Sequence, residues 1–211
     1  MSGQPPFRSF RRLSDFSPLR RAVLAAGVAL AVAACSAPAP SFHATDITGA
    51  DYGKTLALTD HTGTPRTLAD FRGKAVTIFF GYTQCPDVCP TSLATMSAVM
   101  QQLGADADRV QVLFVTVDPE RDTPALLAEY VPVFDKRFLG LYGDARQTEA
   151  VAKDFRVFYR KSGDTAGPNY TIDHSAGTYV FDPEGRLRLY VKHGETADHI
   201  AADLRRLLAG G

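Results

Sequence analysis

The sequence predicts one α/β domain built on a mixed β-sheet flanked by helices. Three observations carry that prediction. Two apolar runs rich in β-branched and aromatic residues, "AVTIFFGYT" (Ala75 to Thr83) and "RVQVLFVTVD" (Arg109 to Asp118), have the continuous apolar character of strands buried on both faces. Between them "PTSLATMSAVMQQLG" spaces Leu93, Met96, Met100 and Leu103 as one face of a helix and puts Gly104 where that helix must end. Near the C-terminus two alternating segments flank the turn "DPEG", and an amphipathic stretch follows them.

The remaining elements fall into place around these. "TPALLAEYVPVFD" reads as a helix opened by Pro124 and disturbed at Pro132, because proline suits a first turn and clashes later. "FLGLYG" reads as a short strand, "RQTEAVAKDF" as a helix and "VFYRKS" as a strand at an edge. "GDTAGPN" carries too much Gly, Pro and Asn for regular structure. "YTIDHSAGTYVFDPEGRLRLYVKHG" reads as a hairpin and "TADHIAADLRRLLA" as the closing helix. With βαβ first and ββα last, the order matches a thioredoxin-like fold, preceded by an extra N-terminal β-hairpin over about residues 43–70. No internal repeat and no second composition regime interrupt residues 43–211, which read as one domain.

Charge is neutral overall but uneven. Residues 1–34 hold five arginines against one acid, Asp15, leaving 18 basic and 22 acidic side chains from Cys35 onward. The domain therefore lacks the basic balance of a nucleic-acid binder, and no nucleic-acid partner is expected. Arg20 and Arg21 precede the apolar run "AVLAAGVALAVAA" and then Cys35. A basic segment, a short apolar core and small residues before a cut point are the features of a secretory signal. "VAAC" (Val32 to Cys35) resembles a bacterial lipobox, so residues 1–35 are expected to be a signal whose Cys35 is lipidated. Residues 36–42 follow as a flexible linker. An uncleaved single transmembrane anchor or a soluble signal cut near Ala34 are the alternatives. All three put the domain outside the cytoplasm, on the periplasmic side of a bacterial membrane.

That location sharpens the meaning of "GYTQCPDVCPTSL", which holds Cys85 and Cys89, two of the chain's three cysteines. Thiols outside the cytoplasm tend to oxidise, so a pair kept for use must be protected or re-reduced. The pair is expected at a strand exit and helix start, where Pro90 serves as a first helical residue and the helix N-terminus favours thiolate. An inert disulfide across so small a loop would stabilise little. Three chemistries compete. A conventional dithiol oxidoreductase has two residues between its cysteines, and here there are Pro86, Asp87 and Val88. A peroxide-reducing cysteine of this fold has Thr or Ser three residues before it, where Cys85 has Tyr82 and Cys89 has Pro86. A metal site needs a third donor, and two sulfurs plus an imidazole suit Cu(I), Cu(II) or Zn(II).

Five histidines are available. His193 and His199 read as solvated, "DHTG" reads as a turn that holds His61, and His43 sits in the front segment. His174, in "TIDHSAGTYVFD" just before a hairpin strand, falls where this fold brings a loop against the cysteine loop, either as a ligand or as an ordinary loop residue. Asp87 reads first as a solvated loop carboxylate, and Asp173 as either a turn residue or a partner of the imidazole. Asp118, Arg121 and Asp122 read as local pairs capping the helix at Pro124. Met96 and Met100, four apart on an amphipathic helix, read as core.

"FFGYTQCPDVCPTSL", "FVTVDPERDTP" and "DHSAGTYVFDPEG" together resemble the Sco/SenC family of copper-binding thioredoxin-like proteins, over about residues 41–208. The resemblance implies that Cys85, Cys89 and His174 bind one copper ion. It implies as partner the binuclear CuA centre of cytochrome c oxidase subunit II, or another periplasmic cuproprotein, with other copper chaperones upstream. Reduction of an acceptor disulfide by the same two thiols, or redox or copper sensing, are the rival functions.

Overall fold

The computed structural model describes residues 41–211 apart from residues 166 and 168. The signal, lipobox and Cys35, and most of the linker, lie outside the described residues. Among the described residues an eight-stranded sheet has the order β1 (Thr45–Asp46), β10 (Leu187–Val191), β9 (Thr178–Phe181), β4 (Ala75–Gly81), β5 (Val110–Thr116), β6 (Leu139–Tyr142), β2 (Ala57–Asp60), β3 (Pro65–Thr67). Its centre is β4 (Ala75–Gly81) paired in parallel with β5 (Val110–Thr116), which pairs in parallel with β6 (Leu139–Tyr142). Every residue of β4 and β5 is buried, as a strand covered on both faces requires.

Helix α1 (Val88–Leu103) makes the crossover from β4 to β5 and buries Leu93, Met96, Val99, Met100 and Leu103. Met96 and Met100 are therefore core, and Gly104 closes the helix at φ 58°. Helix α2 (Pro124–Tyr130) starts at its proline and gives way at Pro132 to a 3-10 turn (Val131–Val133), as proline chemistry dictates. Helix α3 (Ala145–Asp154) carries a reciprocal cap between Asp144 and Gln147. The chain ends with hairpin β9 (Thr178–Phe181) and β10 (Leu187–Val191), then helix α4 (Ala197–Leu208), which packs on α1. In the turn between β9 and β10 the Gly185 N–H donates to Asp182 O at 2.8 Å with Gly185 at φ 74°, a conformation that excludes most side chains. This is a thioredoxin-like α/β fold with a mixed sheet.

The expected N-terminal hairpin forms, within a front segment that divides between the two edges of the sheet. The first part of that segment, β1 (Thr45–Asp46), pairs with β10 at one edge of the sheet, while a tighter hairpin, β2 (Ala57–Asp60) with β3 (Pro65–Thr67), extends the opposite edge through β6. The turn decides this. Buried Asp60 takes hydrogen bonds from Thr62 N, Thr62 Oγ1, Thr64 N and Arg66 Nε, which closes the chain on itself directly after β2. One expectation needs correction: "YTIDH" does not run into the hairpin. β8 (Thr171–His174) pairs with β7 (Tyr159–Ser162) as a separate two-stranded ribbon, so the expected edge strand never joins the main sheet.

Candidate metal centre

The C-terminal end of β4 sets the position of the two cysteines. Gly81 ends the strand because nothing larger fits: a Cβ there would lie 2.8 Å from Cys89 Sγ and 2.9 Å from side-chain atoms of both Phe79 and Phe114. The chain then turns, and α1 begins at Val88, so Cys89 is the second residue of the helix and Pro90 the third. The expected place of Pro90 as first helical residue is thus off by two. Proline is tolerated there for the same reason, since the first turn has no intrahelical use for its N–H.

Cys89 is fully buried, whereas Cys85 in the loop is half-buried, and both are free thiols. The Cys89 N–H points at Cys85 Sγ across 3.4 Å. The helix start does not win the contest over the Cys89 proton. Burial pushes that thiol well above its ordinary range, contrary to the expectation of a stabilised thiolate.

His174 is the last residue of β8 and opposes Tyr159 across the ribbon. Its Nδ1 lies 3.0 Å from the Ser175 carbonyl oxygen, which fixes the proton on Nδ1 and leaves Nε2 with its lone pair. Nε2 faces Cys89 Sγ at 3.4 Å. The ring is held edge-on between Phe79 and Tyr82, with centroids 6.0 and 5.9 Å away. Burial lowers the imidazole's pKa, against the opposing effects of the Ser175 carbonyl and Asp173, so the ring is neutral at neutral pH. Among the described residues the donor atoms of Cys85, Cys89 and His174 alone form a group of three or more His, Cys, Asp or Glu ligand atoms close enough to share an ion, all within 4.8 Å of one another. Two soft sulfurs and a neutral nitrogen are a donor set that copper or zinc accepts in either a two-sulfur or a mixed environment.

The other candidates separate from this group. Asp87 is exposed, and Asp173 is an exposed partner of Arg160 at 3.7 Å; neither reaches the imidazole proton. His61 is structural, its Nδ1 accepting the Gly140 N–H at 3.0 Å. His193 and His199 are exposed but not merely solvated: His193 shares a hydrogen bond with Ser92, and His199 bonds Glu195 and stacks on His43.

The "DPERDTP" stretch does more than cap a helix. Thr123 is the cap, accepting the Leu126 N–H. Asp122 is buried and takes bonds from Thr83 N, Thr83 Oγ1 and Thr116 Oγ1, at 3.0, 2.6 and 2.6 Å, which ties the start of the cysteine loop to β5. Burial drives its carboxyl pKa up, against those bonds. Arg121 pairs with Asp118 at 2.5 Å and donates to Gln84 Oε1 in the cysteine loop and to the Tyr170 carbonyl ahead of β8. Its guanidinium lies 3.5 Å from the centroid of Tyr170, whose hydroxyl donates to Asp118. Tyr82 closes the arrangement, its hydroxyl accepting the Ile172 N–H at 3.2 Å. Sequence reasoning missed Gly81, Tyr82 and the role of Asp122. A glycine ending a buried strand beside a cysteine was the one available signal.

The model of the SCO1/SenC family matches residues 44–209. The mitochondrial SCO2 homolog of Bos taurus is 42% identical over 156 residues, which is 73% of this chain and 59% of that protein. The match thus spans about three-fifths of the bovine protein's length. A SCO2-like protein of Rickettsia felis is 40% identical over 142 residues, 67% of this chain and 68% of that one. Among solved structures, copper-bound ScoI of Bradyrhizobium japonicum matches with a TM-score of 0.69 at 42% identity, covering 74% of this chain and 99% of that chain. Copper-bound yeast Sco1 matches with a TM-score of 0.70 at 29% identity, covering 77% and 91%. The chain belongs to the SCO1/SenC family.

Proposed function

We propose that this chain is a copper chaperone: it carries one copper ion on Cys85, Cys89 and His174 and passes it on during cytochrome c oxidase assembly, to the CuA centre of subunit II. The observation that carries the reading is the convergence of two sulfurs and an imidazole nitrogen within 4.8 Å from a loop, a helix start and a separate ribbon. Copper is the cargo. The sulfurs favour Cu(I) and the imidazole accommodates Cu(II), so one set of ligands serves both states. The copper-bound structures of Bradyrhizobium japonicum ScoI and yeast Sco1 support copper over zinc. Release would begin at Cys85, the half-buried sulfur, where an acceptor cysteine can displace it before the buried Cys89 lets go.

Anaerobic copper titration of the reduced full chain tests this. One tightly bound copper per chain is expected, with a sulfur-to-Cu(II) charge-transfer band that vanishes in Cys85→Ser and shifts in His174→Ala. Absence of stoichiometric binding would overturn the reading. Transfer to the apo form of a soluble subunit II domain tests the acceptor, and an unrelated cuproprotein loaded in preference would redirect it.

One observation favours a second reading, disulfide reduction: a half-buried Cys85 stands before a buried Cys89, both free. The Cys85 thiolate would attack the acceptor disulfide and release one acceptor thiol. Cys89 would then attack the mixed disulfide and release the second, leaving Cys85–Cys89 oxidised. This path needs no imidazole ligand, which makes His174→Ala the discriminating variant.

The same proposal places the domain at the periplasmic face of the membrane, tethered through lipidated Cys35. Its support is the basic pair, the apolar run and "VAAC" in the sequence. Among the described residues no helix is long and apolar enough to cross a membrane. Fatty-acid labelling that disappears in Cys35→Ala is the expected result, and unlabelled protein would count against the tether.

A further inference from the structure

A second histidine cluster sits at the junction of the front segment with α4. The His43 and His199 rings lie 4.0 Å apart, centre to centre, and 4° from parallel, although the residues are distant in sequence. Neither position is accidental. The His43 N–H donates to Asp203 Oδ1 at 3.0 Å and the Ala44 N–H to Asp203 Oδ2 at 2.8 Å, with Asp203 buried on α4 one turn beyond His199. On the other side Thr196 caps α4 by accepting the His199 N–H, and the Thr196 N–H is itself bonded to Glu195 Oε1. Both imidazoles are on the surface.

The chemistry lies in the third residue. His199 Nδ1 is 2.8 Å from Glu195 Oε1. A carboxylate on Nδ1 holds the proton there and directs Nε2 outward, which is the usual support for a metal-binding histidine. The Ser175 carbonyl does the same for His174 in the site already described.

We propose that His43 and His199, with Glu195 orienting His199, bind a divalent borderline cation, Cu(II) foremost, as a site separate from Cys85, Cys89 and His174. The donors are nitrogens without sulfur, so the preference runs to Cu(II) over Cu(I), and Cu(II) heads the affinity order for such ligands. Solvent completes the coordination. Stacked rings present their in-plane lone pairs side by side, so binding requires the exposed His43 ring to turn about its own side-chain torsions toward Nε2 of His199. The cluster supplies two ligands and one orienting carboxylate, and it is weaker and more open than the three-donor site.

The test uses the untagged full chain carrying Cys85→Ser, Cys89→Ser and His174→Ala, titrated with Cu(II) against a competing chelator and followed by electron paramagnetic resonance. One Cu(II) with nitrogen hyperfine structure and no sulfur charge-transfer band is expected. Adding His43→Ala or His199→Ala should weaken binding at least tenfold, Glu195→Gln about tenfold as for other supporting partners, and His193→Ala not at all. Absence of a stoichiometric Cu(II), or equal binding with both His43 and His199 replaced, overturns the proposal. Should the triple variant fail to fold, the wild-type chain with Cu(I) in its cysteine site and Ni(II) as probe gives the answer. Paramagnetic broadening confined to the His43 and His199 ring signals supports the site, and broadening spread over other surface residues refutes it.

Discussion

Cys89 Sγ and His174 Nε2 face each other across 3.4 Å, although 85 positions separate them in the chain. The imidazole proton is engaged by the Ser175 carbonyl and the ring is gripped by Phe79 and Tyr82, so the nitrogen is aimed before any ion arrives. His174→Ala should therefore lower copper affinity by at least tenfold, the loss of one of three donors, while the Cys85–Cys89 pair still cycles between dithiol and disulfide. Competition with a Cu(I) chelator and disulfide exchange with glutathione measure the two arms separately. Equal loss of both would deny the histidine a separate role.

Copper uptake should expel protons. Burial keeps the Cys89 thiol protonated well above its ordinary range, so the ion must displace that proton. Burial lowers the pKa of His174, and its nitrogen stays neutral further into acid than a free imidazole. Affinity should then climb through neutral pH by about tenfold per unit for each proton released. Chelator competition at pH 6, 7 and 8 checks the slope, and a flat profile would mean that the sulfurs are already thiolates.

Gly81→Ala should damage stability and site together. The added methyl would meet Cys89 Sγ at 2.8 Å and two phenylalanine rings at 2.9 Å, with no flexible chain end to yield. Overpacking of this kind costs roughly 1–3 kcal/mol, which in a domain of this size lowers the unfolding midpoint by ~2–4 °C per kcal/mol. Thermal unfolding measures the first effect. Copper titration of the folded variant measures the second, as a weaker complex once the Cys89 sulfur is displaced.

Acid should loosen the β2–β3 hairpin. Burial works to raise the Asp60 pKa, but the bonds from Thr62, Arg66 and Thr64 outweigh it and hold the carboxyl at about 2. Its folded pKa is thus below the unfolded value of 3.8, so its stabilisation is complete above about pH 4 and lost as pH falls toward 2. The amount is about 2 kcal/mol. Denaturant unfolding at pH 5, 3.5 and 2.5 should show the decline, and Asp60→Asn should be less stable at pH 5 with a shallower fall.

How much of this was legible in the chain depends on the range over which each feature is encoded. The β4–α1–β5 unit was readable because apolar continuity and helical spacing report burial within one element. The same holds for the "DPEG" hairpin and for the break of α2 at Pro132, where local backbone chemistry leaves few choices. The cysteines could be placed at a strand exit and helix start on the same grounds. The Asp60 turn escaped because its side-chain bonds to Thr62, Thr64 and Arg66 leave no mark on periodicity, and the expected front hairpin therefore closes more tightly than the span of about residues 43–70.

By itself the sequence determined the elements, the cysteine pair and the removal of the apolar faces from water, because these rest on neighbours within a turn or a strand. Only the tertiary structure decided that β7 and β8 leave the main sheet and lay His174 against Cys89, that Asp122 ties Thr83 to β5, and that His43 meets His199. Each of these contacts joins separate elements, and their geometry follows from how the whole sheet closes and what its packing leaves room for.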